Sequence, residues 1–238
     1  MTVIVSPDKH IHQDFAELQR YLGQSFRFDW CDSSDRKGDD EANNDKYKNN
    51  DDFIRNSLVI CYQNIGLSTI GIHRPYLAKL LELSGNNGPM TVLDFGAGGG
   101  QTGLALHTLG FRVSFAELYS QSFNWLTWRL HERRLNLPVY CLDMANIEIP
   151  KHDVVICFDV IEHCEPDEQL RLMHRCADYG GTVFMNLIVD NKHDKIHFPV
   201  DVKALTQYAN DNWPTWAKDY YEGKQRLLIY GEGVHTSE

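Results

Sequence analysis

From Met90 onward, short runs of β-branched and aliphatic residues alternate with stretches whose apolar positions recur every three or four residues. Runs of the first kind fit strands and stretches of the second kind fit amphipathic helices. Their alternation is the pattern of a parallel sheet covered by helices, so the expected class is α/β. The pattern predicts strands near 91–95, 112–117, 138–142, 153–158 and 181–187, helices near 100–109, 120–135, 167–178 and 202–211, and a closing strand in KQRLLIYGEG. Ahead of the sheet, HRPYLAKLLELSG carries Pro75 where a helix would begin and Gly85 where it would end. DDFIRNSLVICYQNIG reads as a second helical stretch, and apolar spacing from Asp14 to Leu22 predicts another near the N-terminus. Between them, residues 29–52 read DWCDSSDRKGDDEANNDKYKNNDD. Almost nothing aliphatic there could offset the entropy of ordering, so a mobile, solvated acidic loop is expected. No internal repeat is apparent.

Composition narrows the picture without changing it. A chain of 238 residues with 42% apolar side chains can bury one substantial core. A net charge of −10 offers no basic face for a phosphate backbone, so nucleic acid is not the expected partner. The six cysteines are scattered with no C-x-x-C pair, which suggests neither a zinc cage nor a disulfide framework and points to a reduced, cytoplasmic setting. No apolar run approaches the roughly 18 residues of a membrane span, and no secretory leader is visible. No heptad run marks an oligomerisation seam.

The chemistry concentrates in TVLDFGAGGGQTGLAL, residues 91–106, where an apolar strand runs into Asp94 and then into a glycine-rich turn that opens a helix. Gly96, Gly98 and Gly100 permit a tight bend and close backbone approach to a ligand, and the following helix offers unpaired N–H groups. A dinucleotide fingerprint starting at Gly96 would need its third glycine at position 101, which is Gln101, so a nicotinamide dinucleotide is disfavoured. The spacing Asp94-x-Gly96-x-Gly98-x-Gly100 resembles the first motif of class I S-adenosylmethionine-dependent methyltransferases, and the resemblance runs through roughly residues 75–235.

That resemblance implies a Rossmann-like sandwich with a mostly parallel sheet of about seven strands flanked by helices. It also implies an N-terminal extension over 1–74 with lid-like helices and a cofactor-binding domain over 75–238. The cofactor would be S-adenosyl-L-methionine, bordered by Asp94, Phe95, Gly96, Ala97, Gly98 and Gly100 of the turn. Glu117, with Leu118 beside it, ends the second strand, where relatives place an acidic residue on the ribose hydroxyls. Asp143, in VYCLDMAN, corresponds to the contact with the adenine amino group, and Met144 lies beside the ring. Asp159 follows the fourth strand in DVVICFDVIEHCEPDEQL, the segment that borders the methionine portion and the transferred methyl. An acidic residue at a strand end can equally cap a helix or sit in a solvated loop.

Methyl transfer depends chiefly on holding the acceptor in line with the methyl, and a proton must often leave the acceptor. His163, next to Glu162 just beyond the fourth strand, is the candidate base; the other role open to this pair is to cap a helix or brace the site. Asp159-x-x-Glu162-His163 also resembles the Glu-x-x-Glu-His metal cluster of ubiquinone-pathway O-methyltransferases and plant small-RNA 2′-O-methyltransferases, with Asp in the first position. No metal is expected here, and His193 and His197 are read as part of a loop over the pocket rather than as further ligands. Among the aromatics Tyr62, Tyr76, Trp213, Trp216, Tyr220 and Tyr221, most are expected in packing, and Tyr62 is the preferred pocket wall.

The stretch Asp159-Val160-Ile161-Glu162 lacks the Asn/Asp-Pro-Pro-aromatic pattern of amino-methyltransferases that act on nucleic-acid bases, and no RNA-binding module is recognisable. A small-molecule acceptor is therefore the leading expectation, with oxygen and nitrogen both open. The alternatives are methylation of a protein, peptide or RNA terminus, and a non-catalytic cofactor-binding scaffold.

Overall fold

A computed structural model of the chain describes residues 7–27, 47–71, 73–85, 90–188 and 197–234, with only the backbone of 7–12 and 67–70. Among the described residues four helices precede the sheet: α1 (Pro7–Leu22), α2 (Asn50–Asn56), α3 (Val59–Ile70) and α4 (Arg74–Ser84). Then follow β1 (Thr91–Phe95), α5 (Gln101–Thr108), β2 (Arg112–Glu117), α6 (Gln121–Glu132), β3 (Val139–Cys141), β4 (His152–Cys157), α7 (Pro166–Tyr179), β5 (Gly180–Ile188), α8 (Val202–Asn212), β6 (Thr215–Tyr220) and β7 (Gln225–Tyr230).

The strands form one seven-stranded sheet in the order β3-β2-β1-β4-β5-β7-β6. The first five lie parallel, whereas β7 runs antiparallel to both β5 and β6. The chain moves from β1 toward β3 on one side and from β4 toward β6 on the other. The connections leaving the C-terminal ends of β1 and β4 therefore diverge, and this reversal opens the crevice where such sheets bind ligands.

Strand alternation divides the core in two. Val92, Val113, Phe115, Val154, Ile156, Phe184 and Ile229 face α4, α5 and α6. Leu93, Phe95, Ala116, Val155, Cys157, Met185 and Leu228 face α7 and α8. Burial on both faces explains why these strands read as continuous apolar runs. A third cluster, Leu18, Cys61, Tyr62, Ile65 and Trp125, seats α1 and α3 on α6.

Three expectations need correction. Helix α1 begins at Pro7 rather than Asp14. Residues 29–46 of the expected acidic loop lie outside the described residues, but its last residues are ordered. Tyr47 is buried against Phe53, and the Asn49 side chain caps α2 by accepting from Asp52 N at 2.9 Å. The missed strand β6 carries Lys218 and Asp219 outward beside Pro214, as an edge strand tolerates, so it lacks the apolar run that identified the others. Its aromatics pack: Trp216 lies 4.9 Å from the Lys79 ammonium, and Tyr220 meets Tyr76 edge-on.

Leu93, fully buried at the centre of β1, tests the core directly. Leu93→Ala should cost about 2–5 kcal/mol in denaturant unfolding, with an unchanged slope against denaturant.

Candidate active site

The turn from β1 into α5 lies at the mouth of the crevice. Gly96 and Gly98 adopt φ of 70° and 54°, and a Cβ on either would fall 2.4 Å from Val160 Cγ2 or 2.3 Å from Asn64 Nδ2. Positive φ favours glycine at both positions, and the Val160 side chain after β4 and the Asn64 side chain of α3 crowd the space a Cβ would take. Gly96 N and Ala97 N both donate to Ala116 O, at 2.8 and 3.2 Å, which ties the turn to the end of β2.

Two buried carboxyls complete the turn. Asp94 Oδ2 accepts from Gly103 N at 2.8 Å, inside the first turn of α5, so this side chain braces the helix from beneath. Glu117 accepts from Gly98 N at 2.5 Å through Oε2 and from Leu118 N at 2.8 Å through Oε1. Burial pushes both groups up to about 7, against the pull of those N–H donors. Phe95 turns its ring into the core, 6.2 Å from the Tyr179 ring, so only its backbone borders the turn. Ala97 packs against the core and Leu118 is half-buried.

Asp143 stands beyond β3 as the order of motifs anticipates, yet its carboxylate is already engaged. Arg55 of α2 grips it with two N–H donors, Nη1 to Oδ2 at 2.8 Å and Nη2 to Oδ1 at 2.9 Å, and Tyr119 N adds 2.6 Å. Hydrogen bonding from Arg55 holds this carboxyl below the usual range. Met144 is 64% exposed beside it.

Asp159, just beyond the end of β4, adopts a left-handed conformation at φ 53°. Its N–H donates to Asn186 Oδ1 at 2.7 Å, and its Oδ1 accepts from Asn186 Nδ2 at 2.5 Å. Its Oδ2 lies 2.9 Å from His73 Nε2. Burial works against the charged form, but the neighbouring His73 and the Asn186 hydrogen bond outweigh it and leave Asp159 below the ordinary carboxylate range. The His73 ring lies 4.9 Å from Phe158 and 5.9 Å from Tyr76, and its Nδ1 is 3.4 Å from Thr102 Oγ1 at the start of α5.

His163 lies in the short turn Ile161–His163 after β4, with its ring 4.9 Å from that of His197. Asn50 Nδ2 of α2 donates to His163 O at 2.8 Å. Glu162 is buried, and burial together with Asp159 pushes its carboxyl well above the usual range. Among the described residues no group of three or more His, Cys, Asp and Glu side chains is placed to hold a metal ion, and His193 lies outside those residues. Tyr62 is part of the cluster beneath α1, and its hydroxyl accepts from Arg27 N at 2.8 Å, so it is a core residue rather than a pocket wall.

Sequence reasoning did not identify Asn50, Arg55, Asn64, His73 or Asn186. Of these only Asn186 left a local signal, a fully buried amide in the otherwise apolar run VFMNLI.

Comparison with known proteins agrees with this geometry. Residues 92–181 match the family model described as a methyltransferase domain. The magnesium protoporphyrin IX methyltransferase ChlM from Synechocystis PCC 6803, solved with bound S-adenosylmethionine, superposes at a TM-score of 0.54 with 17% identity, covering 91% of this chain and 96% of that one. The PH0226 protein from Pyrococcus horikoshii OT3 reaches 0.55 at 16% identity over 70% of this chain and 91% of its own. An O-methyltransferase family protein from Burkholderia thailandensis gives 0.53 at 13% identity over 72% and 59%. No curated protein matches the chain by sequence. Residues 92–181 thus carry a methyltransferase domain, set on the Rossmann-like sheet that the solved neighbours share.

Proposed function

We propose that the enzyme methylates an oxygen or nitrogen of a small-molecule acceptor. The observation that carries this reading is the roof over the crevice. Asn64 of α3 lies on Gly98, Asn50 of α2 bonds to His163 O, and Arg55 of α2 is paired with Asp143. Clips at both ends of the strand-end crevice favour an enclosed acceptor over a polymer laid across an open groove. Two fold neighbours, a magnesium protoporphyrin IX methyltransferase and an O-methyltransferase family protein, are in keeping with it.

The residues suit S-adenosylmethionine. Gly96 and Gly98 give the turn its positive φ values at the mouth of the crevice, and Glu117 presents a carboxylate beside it. In this reading Glu117 accepts the ribose hydroxyls, while Gly96, Ala97, Gly98 and Gly100, with the backbone of Phe95 and Leu118, border the sugar and methionine. Asp94 holds the turn from beneath. Asp143 already receives three N–H groups, which leaves one acceptor position of its four for the adenine amino group, and Met144 covers the ring. Asp159 faces the methionine portion. When bound, the sulfonium supplies an activated methyl group for in-line displacement. The roof helices exclude water, and His163 accepts the proton that leaves the acceptor. The Asp159–His73 pair favours a second assignment of that proton, since the carboxylate 2.9 Å from Nε2 holds the imidazole in a fixed orientation beside the crevice.

Titration of S-adenosylhomocysteine checks the cofactor assignment. Glu117→Gln should weaken binding about 10- to 100-fold, the worth of a hydrogen bond to a charged acceptor. Hydroxyl donors favour ionised Glu117, whose free value near 7 lies above the ordinary 4.5, so affinity should rise between pH 6 and 8 in the wild type and stay flat in the variant. Folding stability of the unliganded protein should run the other way. Asp94 and Glu117 hold protons in the folded state that the unfolded chain has released above pH 4.5, so stability declines as pH rises toward 7 and levels off beyond it.

An acceptor panel of hydroxylated and carboxylated small molecules, amines, a basic peptide and a short RNA tests the substrate class. Turnover confined to the peptide or the RNA would reject the small-molecule reading. With an accepted substrate, His163→Gln should lower kcat about 100-fold or more while leaving S-adenosylhomocysteine affinity intact. The same result in His73→Gln alone would move the base to the Asp159–His73 pair.

A further inference from the structure

The turn that holds the cofactor in this reading is gripped from behind by α6, which is held in turn by α1, a helix outside the matched residues. Arg129 of α6 is 1% exposed and places its guanidinium 4.7 Å over the Trp125 ring. Its Nη1 donates to Gly99 O at 2.5 Å. Its other donors go to α1: Nε to Glu17 Oε2 at 2.9 Å, and Nη2 to Asp14 Oδ1. Arg133, on the turn that follows α6, binds the same two carboxylates, with Nε 2.8 Å from Glu17 Oε1 and Nη2 2.8 Å from Glu17 Oε2 and 3.0 Å from Asp14 Oδ1. Gly99 itself lies flush on Trp125, where a Cβ would come within 2.3 Å of the ring.

Two arginines and two carboxylates make a neutral cluster, which is how buried charge is tolerated. An apolar seam already joins α1 to α3 and α6 through Leu18, Cys61, Ile65 and Trp125, so docking the helices does not by itself call for ions. What the ionic cluster adds is a fixed guanidinium aimed at one carbonyl of the glycine-rich turn. Arg129 can satisfy Gly99 O only while Asp14 and Glu17 hold its other two nitrogens.

We infer that Arg129 is a positioning residue for the cofactor turn and that α1, through Asp14 and Glu17, sets part of the enzyme's affinity for its adenosyl ligand. The inference rests on reading Gly96–Gly100 as the cofactor turn. Coupling of this kind is reciprocal: a ligand that orders the turn tightens α1, and a looser α1 weakens the ligand.

The full-length chain and S-adenosylhomocysteine suffice as the test. Arg129→Lys keeps the charge but loses the fork that reaches three partners, and Glu17→Gln is near-isosteric and removes one charge. Leu172→Ala, in the core on the opposite face of the sheet, serves as the control for general destabilisation. Ligand should increase amide-exchange protection across α1 in the wild type. Glu17→Gln and Arg129→Lys should raise Kd about tenfold and abolish that gain in protection, whereas Leu172→Ala leaves both unchanged. Should Arg129→Lys not fold, Glu17→Gln alone decides. Wild-type Kd in a folded Glu17→Gln variant, or α1 protection indifferent to ligand in the wild type, would overturn the inference while the cofactor assignment stands. Absence of S-adenosylhomocysteine binding to the wild type would overturn both.

Discussion

The structure turns on one contact, the Glu117 carboxylate on the Gly98 N–H. It closes the end of β2 onto the turn that leaves β1, beside the point where strand order reverses. A carboxyl at that depth is costly to ionise unless N–H groups are directed at it, and two backbone N–H groups, from Gly98 and Leu118, are. Asp94 repeats the arrangement one strand away against Gly103 N. The turn is thus shaped by glycine sterics from outside and by two buried acceptors from inside. Both carboxyls, raised to about 7 by burial, remain near the ionisation threshold at neutral pH.

Charge also orients α1 on the seam that apolar contacts already close. Fully apolar helices could cover the same surface, yet α1 carries Asp14 and Glu17 into the interior, and α6 and the turn after it answer with Arg129 and Arg133. Removing any one partner strands a buried charge, so the pairing fixes which face of α1 points inward more strictly than apolar contact does. The chain's net charge of −10 conceals this, since the cluster is neutral within itself.

The glycine-rich turn, and the order of Glu117, Asp143 and Asp159 at successive strand ends, were legible because each is a local signal: a spacing within one segment, or an acidic residue closing an apolar run. The central helices were legible for the same reason. Contacts that join distant segments were not. Arg55 meets Asp143 across 88 positions, His73 meets Asp159 across 86, and Asp14 meets Arg129 across 115. Periodicity reports which face of an element is buried and says nothing about which charge answers it from another element. Strand β6 was missed because Ala217, Lys218 and Asp219 are exposed between Trp216 and Tyr220, a pattern a loop beside Pro214 also produces. Tyr62 was misassigned for a related reason, since an aromatic in a helix ahead of the sheet reads alike whether it faces a pocket or a neighbouring helix.

The two ends of the roof are held with different strength. Arg55 and Asp143 are about a third exposed, with side chains at 29% and 33%, and exposed ion pairs contribute only about 0–1 kcal/mol even where geometry is good. The cluster of Asp14, Glu17, Arg129 and Arg133 is shielded from water, and breaking it by loss of one partner costs several times more, about 3–5 kcal/mol. Helix α2, seven residues clipped at Arg55 and Asn50 and backed by the small cluster of Tyr47, Phe53 and Val59, is therefore the easily displaced part of the cover. Helices α1 and α3, joined through Leu18, Cys61 and Ile65 and locked to α6, are the fixed part. The weak clip lies at Asp143 and the strong one lies behind Gly99. Displacing α2 from Asp143 consequently costs far less than breaking the ionic cluster behind Gly99.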